Sequence, residues 1–109
     1  MPTANIFYSN KLQLKKLQQL THKLKLYLSE KLTCGDITLN KDEISVRLVK
    51  VDDTGMIGEV EVEITAFAYP ERMKKQDEIC LQAKTFMQNE YPEFGEVKVW
   101  LILVELGHS

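Results

Sequence analysis

Two residues pose the first chemical question: Pro2, directly behind the initiator methionine, and Arg47, set inside the apolar run ISVRLVKV from Ile44 to Val51. A small second residue allows Met1 to be trimmed, and trimming at Pro2 leaves a secondary amine at the head of a strand. An ordinary α-amino group titrates near ~7.7–8.0. An apolar pocket and nearby fixed cations both disfavour its charged form, which moves it toward neutrality, where a general base works best. While Met1 stays attached, the same nitrogen is an amide without a basic lone pair. An unpaired guanidinium among apolar neighbours is costly, so Arg47 calls for an anion. Either a carboxylate on a neighbouring strand, such as Glu61 or Glu63, supplies it, or a ligand does. Together the two residues make a base and a carboxylate clamp.

Other chemistry is poorly supplied. His22 lies two residues from both Leu20 and Leu24, off the leucine stripe, and His108 is next to last. There is no hydrolase triad, phosphate-binding glycine loop or metal-ligand spacing, and the alternating Glu59, Glu61 and Glu63 read as a solvated face. No metal and no cofactor are expected. Cys34 and Cys80 lack CxxC spacing and read as reduced thiols of a reducing compartment. Fourteen Lys and Arg against sixteen Asp and Glu, with no basic stripe, disfavour nucleic acid. No secretory leader or run of ~18 apolar residues is present, so a cytoplasmic protein without membrane contact is expected.

The elements that must position these residues follow from periodicity. The 109 residues, 44% hydrophobic and 28% charged, suit one domain over 1–109. Alternation from Pro2 to Ser9 predicts a strand. Asn10 as N-cap with Gln13 at N3 opens a helix over 11–32, whose stripe is Leu17, Leu20, Leu24, Leu28 and Leu32. Thr33 to Asp42 reads as a loop. Ile44–Val51, apolar on both parities, predicts a strand covered on both faces. Glu59–Tyr69 alternates cleanly, with Val60, Val62, Ile64, Ala66 and Ala68 on one side. Pro70 opens a second helix that runs to Pro92, its stripe being Met73, Ile79, Ala83, Phe86 and Met87, and Glu96–Glu105 is the last strand.

The order βαββαβ predicts an α+β fold: a four-stranded mixed sheet with two antiparallel helices on one face, built from two pseudo-two-fold βαβ units. The halves, roughly 1–58 and 59–109, echo each other: Ser45–Asp52 sets against Lys98–Glu105, with Trp100 where the first half has Arg47. An internal duplication accounts for the echo.

Pro2-Thr3-Ala4-Asn5-Ile6 resembles the opening Pro-x-Ala-x-Ile strand of the tautomerase superfamily, in particular its 4-oxalocrotonate tautomerase-like members, and Ser45-Val46-Arg47 resembles their Ser-Val-Arg strand. Gly55-Met56-Ile57-Gly58-Glu59 is similar to the glycine-rich end of their βαβ unit. The matches lie in the first 59 residues; the second half agrees in element order and length. The resemblance implies a trimer of duplicated chains that interconverts enol and keto forms of a small anionic 2-oxo acid. Pro2 is then the general base and acid, and Arg47 the group on the substrate carboxylate or carbonyl. The family's other arginine, at the start of the first helix, is Leu12 here with Lys11 beside it; the equivalent place in the second half is Arg72, which an adjoining subunit or half is expected to present to the substrate in its place. The pocket phenylalanine is replaced by Thr54, so Trp100 or Tyr8 is expected to wall the site, with Lys31 adding positive potential.

A second resemblance, of Ile6-Phe7-Tyr8-Ser9-Asn10 to an RNA-recognition strand, fails at Glu59–Phe67, where glutamates stand in place of a basic, glycine and aromatic motif. Uncovered edge strands and the Phe67/Tyr69 face favour the homotrimer. The alternative to an enzyme is a non-catalytic trimeric binding or structural module with the same fold.

Overall fold

Leucines at three- and four-residue intervals bury one stripe of α1 (Leu14–Lys31): Leu17, Leu20, Leu24 and Leu28 are inaccessible to solvent, as is Leu32 just beyond. His22, off that stripe, is exposed. The structure, a computed structural model, describes residues 2–9, 14–33, 39–52 and 59–105. The cap at Asn10 and Gln13, the glycine-rich segment at Gly55, and Leu12, Thr54, Cys34 and His108 lie outside the described residues.

The strands are β1 (Thr3–Tyr8), β2 (Ser45–Lys50), β3 (Val60–Phe67) and β4 (Val97–Val104), in the spatial order β2-β1-β3-β4. β1 runs parallel to β2, antiparallel to β3, and β3 runs parallel to β4. Each parallel pair is joined through helix, which is the only short route between parallel neighbours. The fold is the expected α+β arrangement.

Alternation assigns the faces. Ala4 and Ile6, Val60 to Ala66 at even positions, and Val97 and Leu101 form one core with the helices, and half-buried Val46 and Leu48 pack on it. Thr3, Asn5 and Phe7, with Ser45, Arg47 and Val49, Glu61 to Phe67 at odd positions, and Trp100, Ile102 and Val104, share the opposite face. There Trp100 is 41%, Ile102 44% and Val104 38% exposed.

The second helical segment differs from its expectation in two ways. It breaks at Lys75 (φ −106°, ψ 12°) into α2 (Pro70–Lys74) and α3 (Gln76–Glu90). Met73 is 59% exposed, and Arg72 takes the inward place instead, seven residues before Ile79 and so on the same helical stripe. A further correction concerns β2, which was expected to be covered on both faces. It is a sheet edge, and Arg47, Val49 and Lys50 are exposed.

The helices lie antiparallel. Lys16 of α1 bonds Glu93 at 2.7 Å and Lys23 bonds Glu90 at 3.0 Å, which ties the start of α1 to the end of α3. The Lys16 ammonium holds the Glu93 carboxyl below its usual range. That contribution is present above the unfolded carboxylate pKa and is lost as the pH falls through the lower folded value. After α3, the turn Pro92–Phe94 ends at Gly95, whose φ of 69° is unfavourable for a side chain; a Cβ there would also press on Glu59 at 3.0 Å. Leu24→Ala should cost about 2–5 kcal/mol in urea unfolding, and Met73→Ser less than about 0.5 kcal/mol.

Candidate active site

Pro2 is buried at the head of β1. Its carbonyl accepts from the Ser45 N–H at 3.2 Å, so the ladder with β2 continues to this residue. By alternation it shares the helix side of the sheet with Ala4 and Ile6. The β1–β3 register, with Thr3 opposite Thr65, extends to set Ala66 beside Pro2.

Arg47 stands elsewhere. It is paired with Asn5, three residues along β1 from Pro2, on the opposite face of the sheet. Asn5 is also opposite Glu63, which is opposite Trp100, so Arg47, Asn5, Glu63 and Trp100 form one row across all four strands. Arg47 and Trp100 occupy corresponding places in the two parallel pairs. Glu63 lies two strands from Arg47, about 10 Å between backbones, and Arg47 forms no ion pair among the described residues. Its place on an edge strand explains why no carboxylate is needed: the guanidinium stays in water.

Among the described residues, Arg72 is the charged one that the fold buries, with 3% exposure. Its Nε and Nη2 donate to the Leu32 carbonyl at 3.0 and 2.7 Å, and its Nη1 donates to the Phe67 carbonyl at 3.1 Å. The guanidinium stacks on Tyr69 at 4.8 Å from the ring centre. The carbonyl end of a helix favours a cation, and Arg72 serves there as the cap of α1. Expected to help hold a substrate, it is instead engaged with backbone carbonyls.

Lys31 is exposed at the same end of the sheet, its ammonium 5.6 Å from the Tyr27 ring. With Thr33, Glu71, Arg72 and Lys75 it lines a small cavity of about 30 Å³. Tyr8 sits at the far end of β1, about 20 Å of strand from Pro2, half-buried against the core. Within one chain, then, Lys31 and Arg72 gather at the Pro2 end, whereas Tyr8, Arg47 and Trp100 do not. Sequence reasoning misses Thr33, whose Oγ1 donates to the Ser29 carbonyl at 2.6 Å, and the Tyr69 ring under Arg72. The inward turn of Arg72 had a signal, its seven-residue offset from Ile79.

Among the described residues no three His, Cys, Asp or Glu side chains are grouped to hold a metal, and no helix is long and apolar enough to cross a membrane. Burial pushes the half-buried Cys80 thiol up, away from thiolate at neutral pH.

Solved structures share this architecture along nearly the whole chain. A macrophage migration inhibitory factor-like protein from Entamoeba histolytica matches with a TM-score of 0.69 at 15% identity, over 99% of this chain and 95% of its own. A fused 4-OT, described as a symmetric trimer, matches at 0.63 with 13% identity, over 94% and 87%. The fold is the one that these two structures share. A probable enzyme from the thermophilic fungus Aspergillus fumigatus matches at 0.64 with 16% identity, over 97% of this chain and 76% of its own. No protein-family model and no curated protein matches the sequence.

Two outcomes follow. In a Cys34→Ser background, Cys80 should alkylate with iodoacetamide more slowly at pH 8 than a free thiol does, and accelerate above pH 9; a rate equal to the free thiol at pH 8 contradicts its burial. Arg72→Met, which leaves the Leu32 carbonyl without its donors while the Phe67 carbonyl keeps the Tyr69 N–H at 3.0 Å, should lower unfolding stability by about 1–3 kcal/mol, read from urea midpoints.

Proposed function

We propose that this protein is a tautomerase that interconverts enol and keto forms of a small 2-oxo acid, with Pro2, freed of Met1, as the base. The observation that carries the reading is the placement of Pro2, buried at the head of the central β1 strand in a tautomerase fold. The neutral amine takes a proton from the enol hydroxyl, or from the carbon beside the 2-oxo group, and returns it at another carbon as the conjugate acid. Arg47 holds the substrate carboxylate or 2-oxo oxygen and stabilises the dienolate charge as it develops. The reaction needs no cofactor.

Pro2 and Arg47 face opposite sides of their own sheet, so their convergence requires a second copy of the chain. A homotrimer supplies it. The exposed Trp100, Ile102 and Val104, together with two sheet edges, favour such an assembly. In it Arg47 of a neighbour clamps the substrate, Trp100 or Tyr8 of a neighbour walls the pocket, and Lys31 adds positive potential at the Pro2 end.

The same separation of Pro2 from Arg47 favours a second reading, a non-catalytic trimeric module that keeps the fold. Intact mass divides the two: loss of Met1 from the native chain is expected for the enzyme, and uniform retention contradicts it. Light scattering should give about three times the 12.6 kDa chain mass; a monomer at micromolar concentration contradicts the shared site. In a screen of enol acids such as 2-hydroxymuconate and phenylenolpyruvate, turnover by the wild type is expected. Arg47→Ala should then cost roughly 10- to 150-fold in kcat/KM, the loss of one charge-assisted contact of ~1.5–3 kcal/mol, and an unchanged rate removes Arg47 from the site.

A further inference from the structure

The Ala68 N–H donates toward β4, to the Val104 carbonyl at 2.8 Å, so by alternation the Phe67 carbonyl faces the β1 side. Phe67 is one residue past Ala66, the neighbour of Pro2 in the extended register. The Arg72 guanidinium, bonded to that carbonyl and to Leu32 at the end of α1, is therefore fixed just beyond the head of β1. In that register the Pro2 and Ala66 backbones are about 5 Å apart, and the carbonyl that Arg72 holds is one residue further along β3.

We propose that Arg72 acts on Pro2 as a fixed buried charge: locked in place as the cap of α1, it keeps the trimmed amine neutral and able to accept a proton. The inference rests on the reading of Pro2 as a free amine, and on no particular substrate. Arg72 is thus a positioning residue, because it acts through Pro2 and its own donors are held by carbonyls.

Among the described residues, the other charges at this end are Lys31 of α1, Glu71 of α2, Lys75 at the helix break, Lys41, Asp42 and Glu43 in the turn before β2, and Glu105 after β4. All are exposed. Their opposite signs offset one another, and solvent and salt screen them within about 10 Å, whereas a buried guanidinium is screened far less. β3 presents only Thr65, Ala66 and Phe67 beside Pro2, and β2 presents Ser45. The buried cation dominates. A guanidinium stays protonated across the working pH range, so its effect does not titrate away.

The test is NMR titration of the Pro2 amine in proline-labelled protein whose mass shows Met1 removed. The wild-type amine should titrate at least one unit below the ordinary ~7.7–8.0, and Arg72→Gln should raise it by about one unit or more, with Arg72→Lys restoring most of the difference. An ordinary wild-type value, or one unchanged in folded Arg72→Gln, overturns the proposal. Should Arg72→Gln fail to fold, wild-type titrations at 0.05 and 1 M salt decide: a low value that salt leaves in place supports Arg72, and one that relaxes to the ordinary range assigns the effect to exposed lysines and overturns it. A low, Arg72-dependent amine in a protein that turns over no enol acid defeats the proposed function and leaves this inference standing. Turnover with an ordinary amine does the reverse.

Discussion

The arrangement at the Pro2 end of the sheet depends on one buried guanidinium. Arg72 joins three elements: the end of α1 and the end of β3, whose Leu32 and Phe67 carbonyls accept its N–H groups, and the short helix α2 that carries it. A buried charge without an ionised partner is ordinarily expensive. Here the oriented carbonyls at the end of α1 and the face of Tyr69 supply the negative potential. The result is a buried cation held at the end of the sheet where β1 begins.

The sheet has a complementary weakness. Its helix side is filled by apolar side chains, but the other side carries Val49, Trp100, Ile102 and Val104 in the open, interleaved with Arg47 and Glu63. A face of this composition, flanked by two edge strands, is incomplete as a monomer surface. The same geometry separates Pro2 from Arg47. The proposed association of copies would meet both facts, covering the apolar residues and bringing Arg47 of one subunit toward Pro2 of another.

Much of this was legible in the residues. Leucine spacing marked α1, alternation marked β1 and β3, and helical crossovers implied the parallel pairs, because each signal is a local consequence of burying one face. What stayed hidden needed tertiary information. Arg72 falls on the Ile79 stripe, but a charged residue is not read as core until the carbonyls that receive it are in view. Met73 then seemed the inward residue. The break at Lys75 has no proline or glycine to announce it. β2 is apolar on both parities, which suggested two covered faces, yet the strand order puts it at an edge. Arg47 accordingly needed no strand partner, and the pairing with Glu61 or Glu63 that its burial would have demanded did not arise at Glu63, two strands away.

A subunit-mixing experiment bears most directly on a site shared between copies. Pro2→Leu, whose bulk retains Met1, removes the base from one chain, and Arg47→Ala removes the clamp from another. Alone, Pro2→Leu should be inactive toward an enol acid that the wild type converts, and Arg47→Ala reduced roughly 10- to 150-fold. If Pro2 of one subunit works with Arg47 of the next, unfolding and refolding the two together rebuilds intact sites, and activity rises well above the sum of the separate variants. A mixed assembly that shows no more than that sum contradicts a shared site.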